Sequence, residues 1–197
     1  MKEILYDWGG ANAWLFYFIN GWHNDVLDDV MQLGSTLGDH VRFPWYVAAV
    51  ALAAWWRMLH GAAARPWAIA IAVFALAYAL DGIVIGWLKD AADLPRPATA
   101  LPAGSFHLVG VAEYKRSFPS GHALFAATCA ASLWPLLSSV ARVIAVIFVT
   151  WVAWSRIELG FHFPADVVAG TVLAILIVVA LRRALATLER RLPAAAR

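Results

Sequence analysis

Five runs of this chain are long and almost purely apolar, and each ends abruptly in a small group of polar residues. They cover residues 41–59, 66–88, 119–140, 141–159 and 163–181. A helix needs about 20 apolar residues to cross a hydrocarbon core. Backbone surrounded by lipid must satisfy its own N–H and C=O groups, which an α-helix does within one segment. The pattern therefore predicts an all-α, polytopic membrane helix bundle of about five transmembrane helices. Residues 11–40 read differently. Their apolar stretch 13–19 is too short to span, and Asp25, Asp28, Asp29 and Asp39 follow it. Leu27, Val30, Met31 and Leu33 recur at near-helical spacing opposite those acids, as in an amphipathic helix lying in the membrane interface. The competing arrangement, a sixth span from Trp14 onward, would bury several aspartates without obvious partners. Residues 89–118, between the second and third runs, form a Pro- and Gly-rich loop of a length that is usually functional or mobile. The chain thus divides into an interfacial N-terminal segment (1–40), one transmembrane domain (41–187) and a basic tail (188–197) expected to be disordered after Leu192.

Composition strengthens this picture. Of 197 residues, 62% are hydrophobic and only 14% charged, and the mean hydropathy is +0.69. Soluble domains run closer to about half apolar and roughly a quarter charged, so most of this chain must face lipid. The single cysteine, Cys129, excludes an internal disulfide, and its Ala-rich surroundings suit an inert packing residue. Glu3 and Asp7 come early, and no small-residue cleavage site follows a continuous apolar core, which argues against a signal peptide.

Charge placement gives an orientation. Arg57, Arg65, Arg142, Arg182, Arg183, Arg190, Arg191 and Arg197 fall on one side of the predicted bundle, eight of the fifteen Lys/Arg. The positive-inside rule makes that side cytoplasmic, together with the C-terminus. The other side, outside the cytoplasm, receives Lys2, Arg42, Lys89, Arg96, Lys115, Arg116 and Arg156.

Three polar clusters lie on that outer side. Lys89 ends the second run, and Arg96 follows between Pro95 and Pro97, which restrict its backbone. Pro119-Ser120-Gly121-His122 opens the third run. Proline suits a first helical position, and free first-turn amides with no bulk above Gly121 favour an anion. Ser155-Arg156 closes the fourth run, and His162 stands four residues before Asp166, on one helical face. A carboxylate at that offset can hold one imidazole nitrogen and leave the other basic. Read alone, each cluster has a plainer explanation: interfacial snorkelling of Lys89 and Arg96, a capping serine beside an interfacial histidine, and a helix-start pair favourable to the dipole. Asp81, inside the second run, is a functional candidate by its depth; it could face the bundle interior or be held neutral by a hydroxyl such as that of Thr128. Glu158 falls outside the catalytic set as a possible neutraliser of Lys115 or Arg116. His23, His40, His60 and His107 show no partner pattern.

Taken together, the order Lys-x6-Arg-Pro, Pro-Ser-Gly-His and Ser-Arg-x5-His-x3-Asp resembles the type 2 phosphatidic acid phosphatase superfamily. All eleven specified residues are present at the required spacings, and the resemblance covers residues 66–181. It implies that His162 is the nucleophile, forming a phosphohistidine, with Asp166 orienting it. His122 would protonate the leaving oxygen and then activate water. Lys89, Arg96 and Arg156, with the Ser120 hydroxyl and the Gly121 amide, would hold the phosphate. No metal or other cofactor is expected. The partners expected are a lipid phosphate substrate and membrane lipids, with no nucleic acid. Among lipid phosphatases the chain resembles undecaprenyl-diphosphate and B-type phosphatidylglycerophosphate phosphatases, and lipid A phosphatases are also similar; an isoprenoid diphosphate of the cell-wall carrier is the substrate favoured. A different class, a phospholipid transporter or scramblase working through Asp81 and the outer cations, predicts that no lipid releases inorganic phosphate.

Overall fold

A segment that is apolar on every side belongs inside a bundle, and residues 123–128 fit that description. In the computed structural model, which describes residues 6–191, they form the buried middle of a central helix. The order is α1 (Ala11–Asn20), α2 (Asp25–Leu37), α3 (Phe43–Leu59), α4 (Ala64–Ala92), α5 (Gly121–Leu133), α6 (Ser139–Glu158) and α7 (Pro164–Arg191), with short helical turns between. No strand occurs among the described residues. Helix α5 packs against α4, α6 and α7, and Ala123 through Thr128 are all buried.

All five apolar runs contain a helix. Three helical stretches, Ala64–Ala100, Ser139–Glu158 and Pro164–Arg191, are long and apolar enough to cross a membrane. Helix α3 has 17 residues and α5 only 13. The run 119–140 is thus not one continuous helix. Pro135 cannot continue α5, the chain tightens into the turn Trp134–Leu136, and the Ser138 side chain caps α6 by accepting from Ala141 N at 3.3 Å. Helix α7 runs ten residues past the predicted end at 181 and carries the first part of the basic tail; residues 192–197 lie outside the described residues. On α6 and α7, Val143, Ile144, Ile147, Val168, Val172, Ile175 and Leu176 remain exposed. Apolar faces this long have lipid as their natural solvent.

The N-terminal segment departs from expectation. Instead of one amphipathic helix it forms two, separated at residues 21–24, where Asn24 accepts the Leu27 amide at 3.0 Å and starts α2. Helix α2 sits close on α6 because Gly34 and Gly38, one turn apart, present no side chains. A Cβ on Gly34 would fall 2.8 Å from the Trp151 indole, and one on Gly38 2.3 Å from Val152. Helix α1 crosses the start of α7, burying Phe16 and Ile19 against Ala123, Ile157, Phe163 and Val167. Cys129 packs with Phe74 and Phe125 in another buried cluster.

Candidate active site

The end of α4, the starts of α5 and α7 and the end of α6 all meet at one end of the bundle. A tight turn joins α6 to α7. Gly160 takes a left-handed conformation there (φ 81°), and a Cβ would strike the His107 carbonyl at 2.5 Å. The amides of Phe161 and His162 both donate to the Arg156 carbonyl, at 3.1 and 2.9 Å. This fold-back swings the His162 ring inward, where it is 1% exposed.

Asp166 holds that ring. Its Oδ2 accepts from His162 Nδ1 at 3.2 Å, from Ser117 Oγ at 2.5 Å and from the Phe163 amide at 2.9 Å. Its Oδ1 accepts from the Tyr6 hydroxyl at 2.9 Å. On the other side of the ring, Arg96 Nη1 donates toward His162 Nε2 at 3.2 Å. A guanidinium can only donate, so Nε2 carries the lone pair and Nδ1 the proton. Burial, and behind it the charges of Arg96 and Arg156, lower the His162 pKa from 6.5 to about 3 against the opposing pull of Asp166. The imidazole is therefore neutral near pH 7. Burial and the Asp166 charge push the Tyr6 phenol far above its ordinary value, so it stays a donor.

The cations are set by different elements. Arg96 precedes Pro97 in extended conformation and is 5% exposed; it also donates to Lys115 O at 3.0 Å and Phe161 O at 3.2 Å. Arg156, 4% exposed, bonds Ser35 Oγ of α2 at 2.6 Å and lies 4.2 Å over the Phe161 ring. Lys89 donates to the Arg116 carbonyl at 2.9 Å. The start of α5 reaches them through Gly170. A Cβ there would lie 2.4 Å from Ser120 O, and this close approach lets the Ser120 amide bond the Asp166 carbonyl at 3.0 Å.

A cavity of about 510 Å³ brings together Lys89, Arg96, Gly121, His122, Arg156 and His162. Asp166 and Ser120 stand behind this wall, both fully buried, and the Ser120 hydroxyl has no partner among the described residues. Asp81 also lines the cavity, and Thr128 Oγ1 donates to it at 2.6 Å. The remaining walls, Tyr78, Ala79, Ile85, Leu124 and Phe125, are largely apolar. The void is thus lined by both charged and apolar side chains.

Two sequence expectations need correction. Glu158 does not meet Lys115 or Arg116. It closes α6 in full burial, where Asn20 binds its backbone carbonyl at 2.6 Å, and Arg116 pairs instead with Asp90 at 3.0 Å. His40, which carried no pattern, lines the cavity. Other contributors went unread. Glu113 bridges Arg96 (2.8 Å) and Arg156 (3.8 Å); Ser117, Tyr6 and Ser35 support the histidine and the second arginine. Asn12 accepts the Ala165 amide at 2.9 Å and so caps the start of α7. Only the spacing of small residues at 34 and 38 was available in the sequence as a sign of close helix packing.

The profile of the PAP2 superfamily matches residues 68–190. Phosphatidylglycerophosphatase B of Escherichia coli K12 is 29% identical over a 143-residue alignment that takes in 54% of this chain and 56% of the relative. The chain thus spans about half the length of the curated relatives it matches. The crystal structure of Aquifex aeolicus LpxE superposes with a TM-score of 0.75 at 24% identity, covering 88% of this chain and 95% of the other. The Bacillus subtilis PAP2-type phosphatidylglycerolphosphate phosphatase gives 0.65 at 21% identity, covering 94% and 88%. At those identities the two structures speak to the fold.

Proposed function

Since the chain belongs to the PAP2 superfamily, we propose that it is an integral membrane lipid phosphatase that works through a phosphohistidine. The observation carrying this reading is the meeting of His162 Nε2 and the Arg96 guanidinium at 3.2 Å on the wall of one cavity. A nucleophile with its lone pair free of protons lies beside a cation that binds equatorial phosphate oxygens. Substrate would enter with its phosphate among Lys89, Arg96, Arg156 and the Gly121 amide, and its tail toward Tyr78, Ile85 and Phe125.

In the first step Nε2 attacks phosphorus in line, and the P–O bond to the leaving group breaks. His122 supplies the proton that the departing oxygen takes. Asp166 faces the positive charge that develops on the His162 ring. In the second step His122 takes a proton from water, whose oxygen attacks phosphorus and frees His162. The three cations offset charge as it builds on the equatorial oxygens, the usual principal source of acceleration in phosphoryl transfer. The Ser120 hydroxyl, buried and without a partner among the described residues, would be a further donor for that site.

The substrate favoured by the family resemblance is undecaprenyl diphosphate, with loss of the terminal phosphate to recycle the carrier lipid. The names of the E. coli and B. subtilis relatives favour phosphatidylglycerophosphate as a second reading. The site end of the bundle would face outward from a bacterial inner membrane, because Arg57, Arg65, Arg142 and Arg182 all sit at the opposite end. Residues 6–40 would lie at that outer interface and border the lateral opening. Phosphate release by the purified chain from undecaprenyl diphosphate, phosphatidylglycerophosphate and lipid A, side by side, ranks the substrates. Activity should survive EDTA and be inhibited by vanadate. A protein that releases phosphate from none of them would instead fit lipid translocation.

A further inference from the structure

Two almost fully buried guanidinium groups facing an open cavity need an anion. In this structure the anion is the carboxylate of Glu113, from the loop between α4 and α5. One oxygen lies 2.8 Å from Arg96 Nη2 and the other 3.8 Å from Arg156 Nη2. These are two of the three cations assigned above to the substrate phosphate, and Glu113 lines the same cavity. A forked oxyanion across two guanidinium groups has the shape of two phosphate oxygens.

Glu113 is placed to leave. Its side chain is 50% exposed, whereas Arg96 and Arg156 are 7% and 5% exposed at theirs. The backbone beside it is fixed: the Tyr114 carbonyl accepts from Thr99 Oγ1 at 2.6 Å and from the Arg96 amide at 3.3 Å, and the Ser117 amide bonds Leu94 O at 2.9 Å. A rotation of the side chain alone therefore carries the carboxylate into solvent without moving the arginines or His162.

We propose that Glu113 is a built-in competitor for the phosphate seat, holding Arg96 and Arg156 in the free enzyme and yielding them to the substrate's phosphate. The inference rests on the phosphatase reading. Its consequence is discrimination by charge: an incoming group must outcompete a tethered monoanion, so a dianionic phosphate or a diphosphate enters while singly charged phosphodiesters do not. The same competition helps expel inorganic phosphate after each turnover.

The test compares the wild-type chain with Glu113→Gln, and with Glu113→Asp, whose shorter stem reaches the arginines poorly. Inhibition by inorganic phosphate and by vanadate is measured in turnover, and phosphate binding to the same detergent-purified proteins by calorimetry. A ligand's apparent affinity falls by the fraction of protein competent to bind it, so removing the competitor should tighten phosphate about tenfold. Glu113→Asp should lie between, and KM should fall with phosphate Ki. Unchanged or weaker phosphate binding in both variants overturns the proposal. So does a fall in kcat with phosphate affinity unaltered, which would place Glu113 in the chemistry. Should the wild type hydrolyse no lipid phosphate, the phosphatase reading fails by itself, and calorimetry still decides whether Glu113 competes for the anion seat.

Discussion

The turn carrying His162 and the helix start carrying His122 open onto the same cavity, yet they treat their imidazoles in opposite ways. His162 is 1% exposed and touched by Asp166, Ser117 and Arg96. His122 lines the cavity with no hydrogen bond to its ring among the described residues. One ring has a fixed tautomer and a fixed direction, as a nucleophile that must strike phosphorus in line requires. The other carries no such restraint among the described residues, which suits an acid that later serves as a base. Restraint of one ring and not of the other, set by neighbours within one void, separates the two assignments better than residue type does.

The contrast can be broken by substitution. His162→Ala should abolish turnover, a fall of about 10⁴-fold or more, since no other group occupies the in-line position; phosphate release by the purified variant at near-normal rate would remove the mechanism. His122→Ala should slow release by about 10²–10⁴-fold, and a leaving group that needs no proton, such as a nitrophenolate, should recover much of the first step. If both variants respond alike to that leaving group, the two roles are not distinct. Asp166→Asn should cost about 10³-fold by releasing the ring's tautomer, with KM little changed. Tyr6→Phe removes one of the bonds to Asp166 and should cost about tenfold or less in kcat.

Acid offers a gentler probe of the same difference. With its folded pKa near 3 and an ordinary unfolded value of 6.5, His162 should still show a neutral imidazole at pH 5 by ¹⁵N resonance. An imidazolium signal at that pH would reverse the assignment. The stability sign follows from proton counts. Between pH 6.5 and about 3 the unfolded chain binds the proton and the folded chain does not. Stability thus declines as pH falls through 6.5, and this group's contribution stops changing below about 3.

The residues assigned to the proposed chemistry were legible only as an ordered set, because each cluster alone allowed a plainer reading. All of them arrive at or directly behind one cavity, although the helix expected to open at Pro119 starts at Gly121, with Ser120 in extended conformation before it. The residues that hold them were not legible. Tyr6 reaches Asp166 across 160 positions and Asn12 reaches Ala165 across 153, and no spacing encodes such a meeting. Glu113 sits in a loop without periodicity, where a carboxylate looks like any solvated charge. The break of residues 11–40 into two helices has a similar cause. The acids of α2 gave the segment a polar face, but the seat of α2 on α6 depends on two missing side chains, Gly34 and Gly38. Helix α5 came out short because hydropathy continued across Pro135 while the backbone could not.

The bonds from Tyr6 and Asn12 to the first turn of α7 also set a schedule. During synthesis, residues 6 and 12 emerge long before their counterparts at 166 and 165, and α1 has to wait unclasped while the intervening helices are made. A chain halted before residue 164 would possess both arginines and His122 but neither His162's restraint nor the cap on its helix. On the proposed function, such a chain would stay inert until its last helix arrives.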